Sequence, residues 1–240
     1  MVMESDARWE FSYTVRKPPE GESAKLTPKE IELRLRKDVE ANPANPIQPL
    51  WELAQFYKLT GNHDRAVTTL RELVALLPDL ETKANCIFTM GQSAEKVGDF
   101  AGAIRYYKEA MVMEPAHTFT WYFILNNLGY SNNQLGQFDE GEKYCQLALK
   151  VSTQRPNAFK NLGLALEGQG RYREAGQCYV RATQANAADF RSFVHLREMI
   201  KRHPELEFEF QKDLGNCEKA VQVAAEANQR AQNQKPNPPT

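Results

Sequence analysis

The chain has little of what catalysis, metal binding or membrane insertion would use. It has four cysteines, Cys86, Cys145, Cys178 and Cys217, and none forms a CxxC pair or stands at zinc-site spacing from a histidine. They read as reduced core cysteines, which suits a reducing compartment. The four histidines, His63, His117, His195 and His203, are scattered. There is no Walker loop, no nucleophile elbow and no HExxH. Charge of one sign is also missing: 30 Lys and Arg meet 31 Asp and Glu, a formal net charge of −1. That balance argues against nucleic acid, whose binders carry a basic stripe. No apolar run reaches the length of a membrane span. The start, MVMESDARWEF, lacks the basic-then-apolar order of a secretory signal. These absences lead us to expect a cytoplasmic, non-catalytic protein with no cofactor, no metal, no nucleic-acid partner and no membrane insertion.

What is present is a repeat, found by its glycines. Four turn signals centre on Gly61, Gly98, Gly136 and Gly170, at intervals of 37, 38 and 34 residues. Seven residues before each turn glycine stands a small residue after a large apolar one: Leu53-Ala54, Met90-Gly91, Leu128-Gly129 and Leu162-Gly163. Five residues after it stands a second small residue: Ala66, Ala103, Gly141 and Ala175. Four further on come Leu70, Tyr107, Cys145 and Tyr179. Small residues at these two places let antiparallel helices approach closely, and the larger ones fill the groove between pairs. Pro78 and Pro115 close the second helix of the first two repeats.

The pattern resembles the tetratricopeptide repeat, W-x2-L-G-x2-Y followed by A-x3-F and a closing proline. It runs here as Leu50, Leu53, Ala54, Tyr57, then Ile87, Met90, Gly91, Ala94, then Leu125, Leu128, Gly129, Asn132, then Phe159, Leu162, Gly163, Leu166. The leading Trp is absent throughout, and Thr153 and Ala187 replace the last two prolines. The resemblance implies an all-α fold, a right-handed superhelical stack of antiparallel helix pairs (an αα-solenoid). It places four repeats over residues 47–189, bounded as 47–80, 84–117, 122–155 and 156–189.

The flanks read separately. Residues 27–46 hold a capping helix with Thr27 as N-cap, Pro28 at its first position and Glu30 completing a capping box. Its buried stripe is Ile31, Leu35 and Val39. Residues 190–231 hold C-terminal capping helices. The stripe Leu206, Phe210, Leu214, Cys217, Val221, Ala224 has helical spacing. Gly215 can kink or split that helix, and the alternation Leu206-Phe208-Phe210 also permits a short strand. Residues 1–26 form an arm in which Trp9, Phe11, Tyr13 and Val15 alternate with polar residues. It is either extended against a groove or disordered. The tail, 232–240, is proline-rich and expected to be disordered.

In this family the first helices line the concave wall. Carrying the ligand-facing positions over, the second repeat gives Asn85, Phe88, Thr89, Gln92, Glu95 and Lys96. The third gives Phe123, Asn126, Asn127, Tyr130, Asn133 and Gln134, and the fourth Asn157, Lys160, Asn161, Leu164 and Glu167. Four asparagines in the third of these helices cost it about 2 kcal/mol relative to alanine. Asparagine carries both donor and acceptor, so it can grip a peptide unit. Asn127 and Asn161 occupy equivalent positions, which resembles a short asparagine ladder. The family's carboxylate clamp is not expected, because Gln55, Gln92 and Asn85 stand where clamp groups belong. The candidate peptide-binding residues are Phe88, Gln92, Phe123, Asn126, Asn127, Tyr130, Asn133, Gln134, Asn157, Lys160, Asn161 and Leu164. The expected function is a protein-protein interaction module holding a partner's peptide or helix in the groove. The alternative is a self-assembling scaffold, a homo-oligomer in which the arm or the C-terminal helix docks on another copy.

Overall fold

The computed structural model describes residues 26–233. The arm and nearly all of the tail discussed above lie outside the described residues. Among those described, every regular element is helical. They divide into two compact units. The first, residues 26–76 of those described, contains α1 (Pro28–Ala41), α2 (Ile47–Leu59) and α3 (His63–Leu76). The second, residues 77–233 of those described, contains α4 (Leu80–Lys96), α5 (Phe100–Val112), α6 (Thr118–Gln134), α7 (Phe138–Val151), α8 (Pro156–Gly168), α9 (Tyr172–Ala185), α10 (Arg191–Arg202) and α11 (Glu207–Asn233).

In the first unit, the Thr27 hydroxyl accepts the Glu30 N–H at 3.3 Å and the Glu30 carboxylate accepts the Thr27 N–H at 2.7 Å, a closed capping box that starts α1. Leu35 packs with Leu53, Tyr57 and Ala66, with Ile31 and Val39 at the margin. The Tyr57 hydroxyl donates to Glu32 at 3.0 Å and accepts from Arg36, so its buried ring keeps a polar exit.

In the second unit, α4 and α5, α6 and α7, and α8 and α9 form successive antiparallel pairs. The turns between the paired helices centre on Gly98, Gly136 and Gly170, with φ of +79°, +71° and +77°. That region is open to glycine at little cost, so the turn register is set by these three positions. Asp79 caps α4 by accepting the Thr82 N–H at 2.7 Å, and Asp99 caps α5 through the Gly102 N–H at 2.8 Å. The small residues in the first helices meet large ones in the second. Gly91 faces the Tyr107 ring, Gly129 faces Cys145, and Gly163 faces the Tyr179 ring. Tyr107, Cys145 and Tyr179 are wholly buried.

The C-terminal helix differs from two of the expectations. A short 3₁₀ turn, Pro204–Leu206, leads into α11, which runs unbroken through Gly215. No atom approaches within 4 Å of where a Gly215 Cβ would stand, so this glycine serves no close contact. Its flanking residues Leu214, Cys217 and Val221 pack on the core of α9 and α10, and that packing outweighs about 1 kcal/mol of lost propensity. No strand forms at Leu206–Phe210. Leu206 and Phe210 are buried one helical turn apart, while Phe208, on the other side, is 90% exposed.

These contacts separate two glycines by function. A Cβ on Gly163 would meet the Tyr179 ring at 2.5 Å, so Gly163→Ala is expected to lose about 1–3 kcal/mol in urea denaturation. Gly215→Ala has open space and helical backbone, and is expected to gain about 0.5–1 kcal/mol in the same assay.

Candidate functional site

The second unit holds a cleft of about 310 Å³ built from one face of four helices. Glu95 and Lys96 come from the end of α4, and Asn126, Asn127 and Tyr130 from the middle of α6. Asn157, Lys160 and Asn161 come from the first turns of α8, and Arg191 from the start of α10. Helical periodicity explains the assembly: residues three and four apart share a face, and each first helix presents that face to the same side.

The asparagines divide into two groups. Asn126, Asn133 and Asn161 are buried, at 4%, 6% and 3% exposure. The Asn133 amide donates to the Asn161 carbonyl at 2.7 Å, and the Asn161 amide donates to Asn126 Oδ1 at 3.0 Å. Asn126 in turn donates to Asn127 Oδ1 at 2.9 Å, and Asn127 donates to the Tyr107 hydroxyl at 3.2 Å. This chain of side-chain bonds ties α8 to α6 and α6 to α5. The asparagine ladder is therefore spent largely inside the protein, and its cost to helix α6 is offset by cross-helix bonding. Asn132, also buried, bonds back to the Leu128 carbonyl at 2.7 Å.

The groups left for a ligand are different. Among the described residues, the Tyr130 hydroxyl, the Asn157 amide and the Lys160 ammonium have no hydrogen-bond or ion-pair partner. Lys160 is half-buried, and its pKa is lowered, first by loss of water and next by the nearby Arg191 guanidinium, with Asp189 opposing. Arg191 is itself paired to Asp189 at 2.5 Å. Opposite, the Glu95 carboxylate accepts from the Ser131 hydroxyl at 2.8 Å, and burial raises its pKa above the ordinary carboxylate value.

Of the residues expected at the site, the structure gathers Asn126, Asn127, Tyr130, Asn157, Lys160 and Asn161 around this cleft. Phe88, Gln92, Phe123, Asn133, Gln134 and Leu164 do not line it. Phe88 packs on the Tyr107 ring at 5.7 Å, and Leu164 packs on the core of α9 and α10. Asn133 is turned between helices, and Gln134 is exposed at the end of α6. Arg191 was missed. Extending the repeat register past residue 189 would have found it, because Arg191 stands 34 residues after Asn157, at the equivalent position. A second cleft beside Gly136 has its Gln169 amide already engaged by Asp139 at 3.0 Å and Glu142 at 2.9 Å. Among the described residues, no group of three or more His, Cys, Asp or Glu is placed to hold a metal, and no helix is long and apolar enough to cross a membrane.

Two outcomes test this division. Asn161→Ala is expected to lose about 2 kcal/mol in denaturant unfolding, because it strands the Asn126 acceptor, whereas Asn157→Ala stays within about 0.5 kcal/mol of wild type. Glu95 gives a pH signature. A raised carboxyl pKa means that the folded state holds its proton more tightly than the unfolded chain, so this group's contribution falls as pH rises from about 4.5 through the folded value. Stability of the wild type relative to Glu95→Gln is therefore expected to decline from pH 4 to pH 7 in parallel melts.

Comparison with known proteins agrees with the fold. Family models described as tetratricopeptide repeat match residues 50–79, 88–159 and 158–189, together more than half of the chain. Human tetratricopeptide repeat protein 7B is 27% identical over 150 residues, 60% of this chain but 17% of that protein. Photosystem I assembly protein Ycf3 of Prochlorococcus marinus subsp. pastoris is 31% identical over 114 residues, 46% of this chain and 65% of its own length. The chain thus spans less than two thirds of either relative. Among solved structures, BtubC from P. vanneervenii superposes with a TM-score of 0.61 at 17% identity, covering 89% of this chain and 92% of that one. A MamA protein structure gives 0.55 at 20% identity, covering 67% and 84%. The turn glycines, the paired helices and these matches lead to one conclusion: the chain belongs to the tetratricopeptide repeat family, with its αα-solenoid fold.

Proposed function

We propose that this protein holds an extended segment of another polypeptide in the cleft of α4, α6, α8 and α10, with Lys160 as its charged anchor. Family membership supports a protein-interaction module. The observation that carries the finer reading is the half-buried ammonium of Lys160, which faces the cleft and makes no ion pair among the described residues, the nearby Asp189 being paired to Arg191 instead. A desolvated charge without a counter-ion is unfavourable, and a ligand carboxylate relieves it. Beside it, the Asn157 amide and the Tyr130 hydroxyl offer hydrogen bonds to a ligand backbone. The bound segment is then mixed in character: acidic at one side chain, polar along its backbone.

The reading separates binding from stability. Lys160→Met removes a half-buried charge that makes no ion pair, so the variant is expected to be at least as stable as wild type, by up to about 1 kcal/mol. Peptides selected from an unbiased display library on the wild type are expected to carry an acidic residue. They should bind Lys160→Met about tenfold or more weakly. Selected peptides that bind both proteins equally would remove the cleft from consideration. Sedimentation addresses the scaffold alternative, because a concentration-independent monomer disfavours it.

A further inference from the structure

One cationic side chain outside the cleft is held in an unusual way. Arg155, the residue before Pro156, stands at the N-terminus of α8 with its guanidinium carbon 4.8 Å from the Phe119 ring centroid, 5.4 Å from Tyr122 and 5.3 Å from Phe123. The rings brace one another: Phe119 and Phe123 have centroids 4.6 Å apart, and Phe123 meets Tyr122 edge-on at 5.1 Å. The backbone is pinned too. The Tyr122 hydroxyl donates to the Arg155 carbonyl at 3.3 Å and accepts the Ala158 N–H at 3.1 Å. Yet among the described residues no carboxylate pairs with the guanidinium.

Aromatic faces satisfy the flat surface of a guanidinium but leave its in-plane N–H donors free, and those donors form a fork matched to a carboxylate. The fork is fixed in advance, so little side-chain entropy is lost on binding. The seat also lies in line with the cleft. Phe119, Phe123, Asn127 and Tyr130 follow one another at spacings of four and three along α6, on one face. Arg155 is the N-cap of α8 and Lys160 lies five residues on, so their backbones stand about 7.5 Å apart along the helix axis. Side chains two apart on one side of an extended chain are separated by about 6.7 Å.

We infer that Arg155, seated in Phe119, Tyr122 and Phe123, is a second anion subsite that takes an acidic side chain of the bound polypeptide. Together with Lys160 it selects an extended segment with acidic residues at alternate positions. This rests on the cleft reading for Lys160, but the Arg155 subsite is a separate set of residues and can fail separately.

The probes are two blocked pentapeptides of equal charge, Gln-Glu-Gln-Glu-Gln and Gln-Gln-Glu-Glu-Gln, titrated at low ionic strength into isotope-labelled full-length protein. NMR signals are followed for the Arg155 side-chain N–H, the Phe119 and Phe123 rings, and the Tyr130, Asn157 and Lys160 groups. The expected result is that the alternating peptide shifts both groups and binds several-fold tighter than its isomer. Arg155→Gln is expected to weaken it about tenfold and to abolish the preference, and Arg155→Lys, which keeps charge without the fork, to fall between. Shifts confined to the Lys160 group, with Arg155→Gln binding as wild type, would overturn the subsite and leave the cleft standing. Shifts at neither group would overturn both. The wild-type mapping decides even if a substitution disturbs the aromatic seat.

Discussion

The contact on which the second unit depends is a glycine in one helix lying against a large side chain in the next. Gly91 meets Tyr107 and Gly163 meets Tyr179 because neither glycine has a Cβ to hold the helices apart. Each ring is then wholly buried, and each hydroxyl must find a partner in a dry place. One turn beyond each glycine stands a glutamate. The Tyr179 hydroxyl donates to Glu167 at 2.6 Å, and Glu95 holds the equivalent place for Tyr107. In the middle pair Cys145 replaces the tyrosine, and Asn133 replaces the glutamate. The packing rule of the core thus brings Glu95 to the edge of the cleft.

The cleft follows from that rule. Glu95 serves the buried hydroxyl and is half-buried itself, so it is a costly place for charge. Asn127 serves the same hydroxyl from α6 and links it to the bonded asparagines behind. These residues form a floor tied across α5, α6 and α8 by side-chain bonds, with Asn133 Oδ1 and Asn161 Oδ1 buried and unpartnered among the described residues. Lys160, Asn157 and Tyr130 stand above it with their polar ends unengaged. A braced floor beneath free groups suits the proposed binding of an extended segment, because little has to reorganise.

Much of this was legible in the sequence because it depends on backbone chemistry. Turn glycines with positive φ, the Thr27 capping box and the small residues at helix crossings each have one structural reading, and the helices start and stop where those signals stand. The site was legible only in part. Carrying over the ligand-facing positions that the family resemblance implies brought Asn127, Tyr130, Asn157 and Lys160 together. It could not say whether an amide faces solvent or a neighbouring helix, because that turns on the rotation of α6 against α8. Asn133 and Asn161 were on the right helices, and cross-helix bonding consumes their amides. Gly215 is the opposite case: a local breaker overruled by tertiary packing on both sides.

The most direct measurement is a structure of the protein with a library-selected peptide bound. A peptide carboxylate within hydrogen-bond distance of Lys160 Nζ, with its backbone against Asn157 and Tyr130, is the result this account requires. A peptide seated away from α6 and α8, with Lys160 still unpartnered, would contradict it.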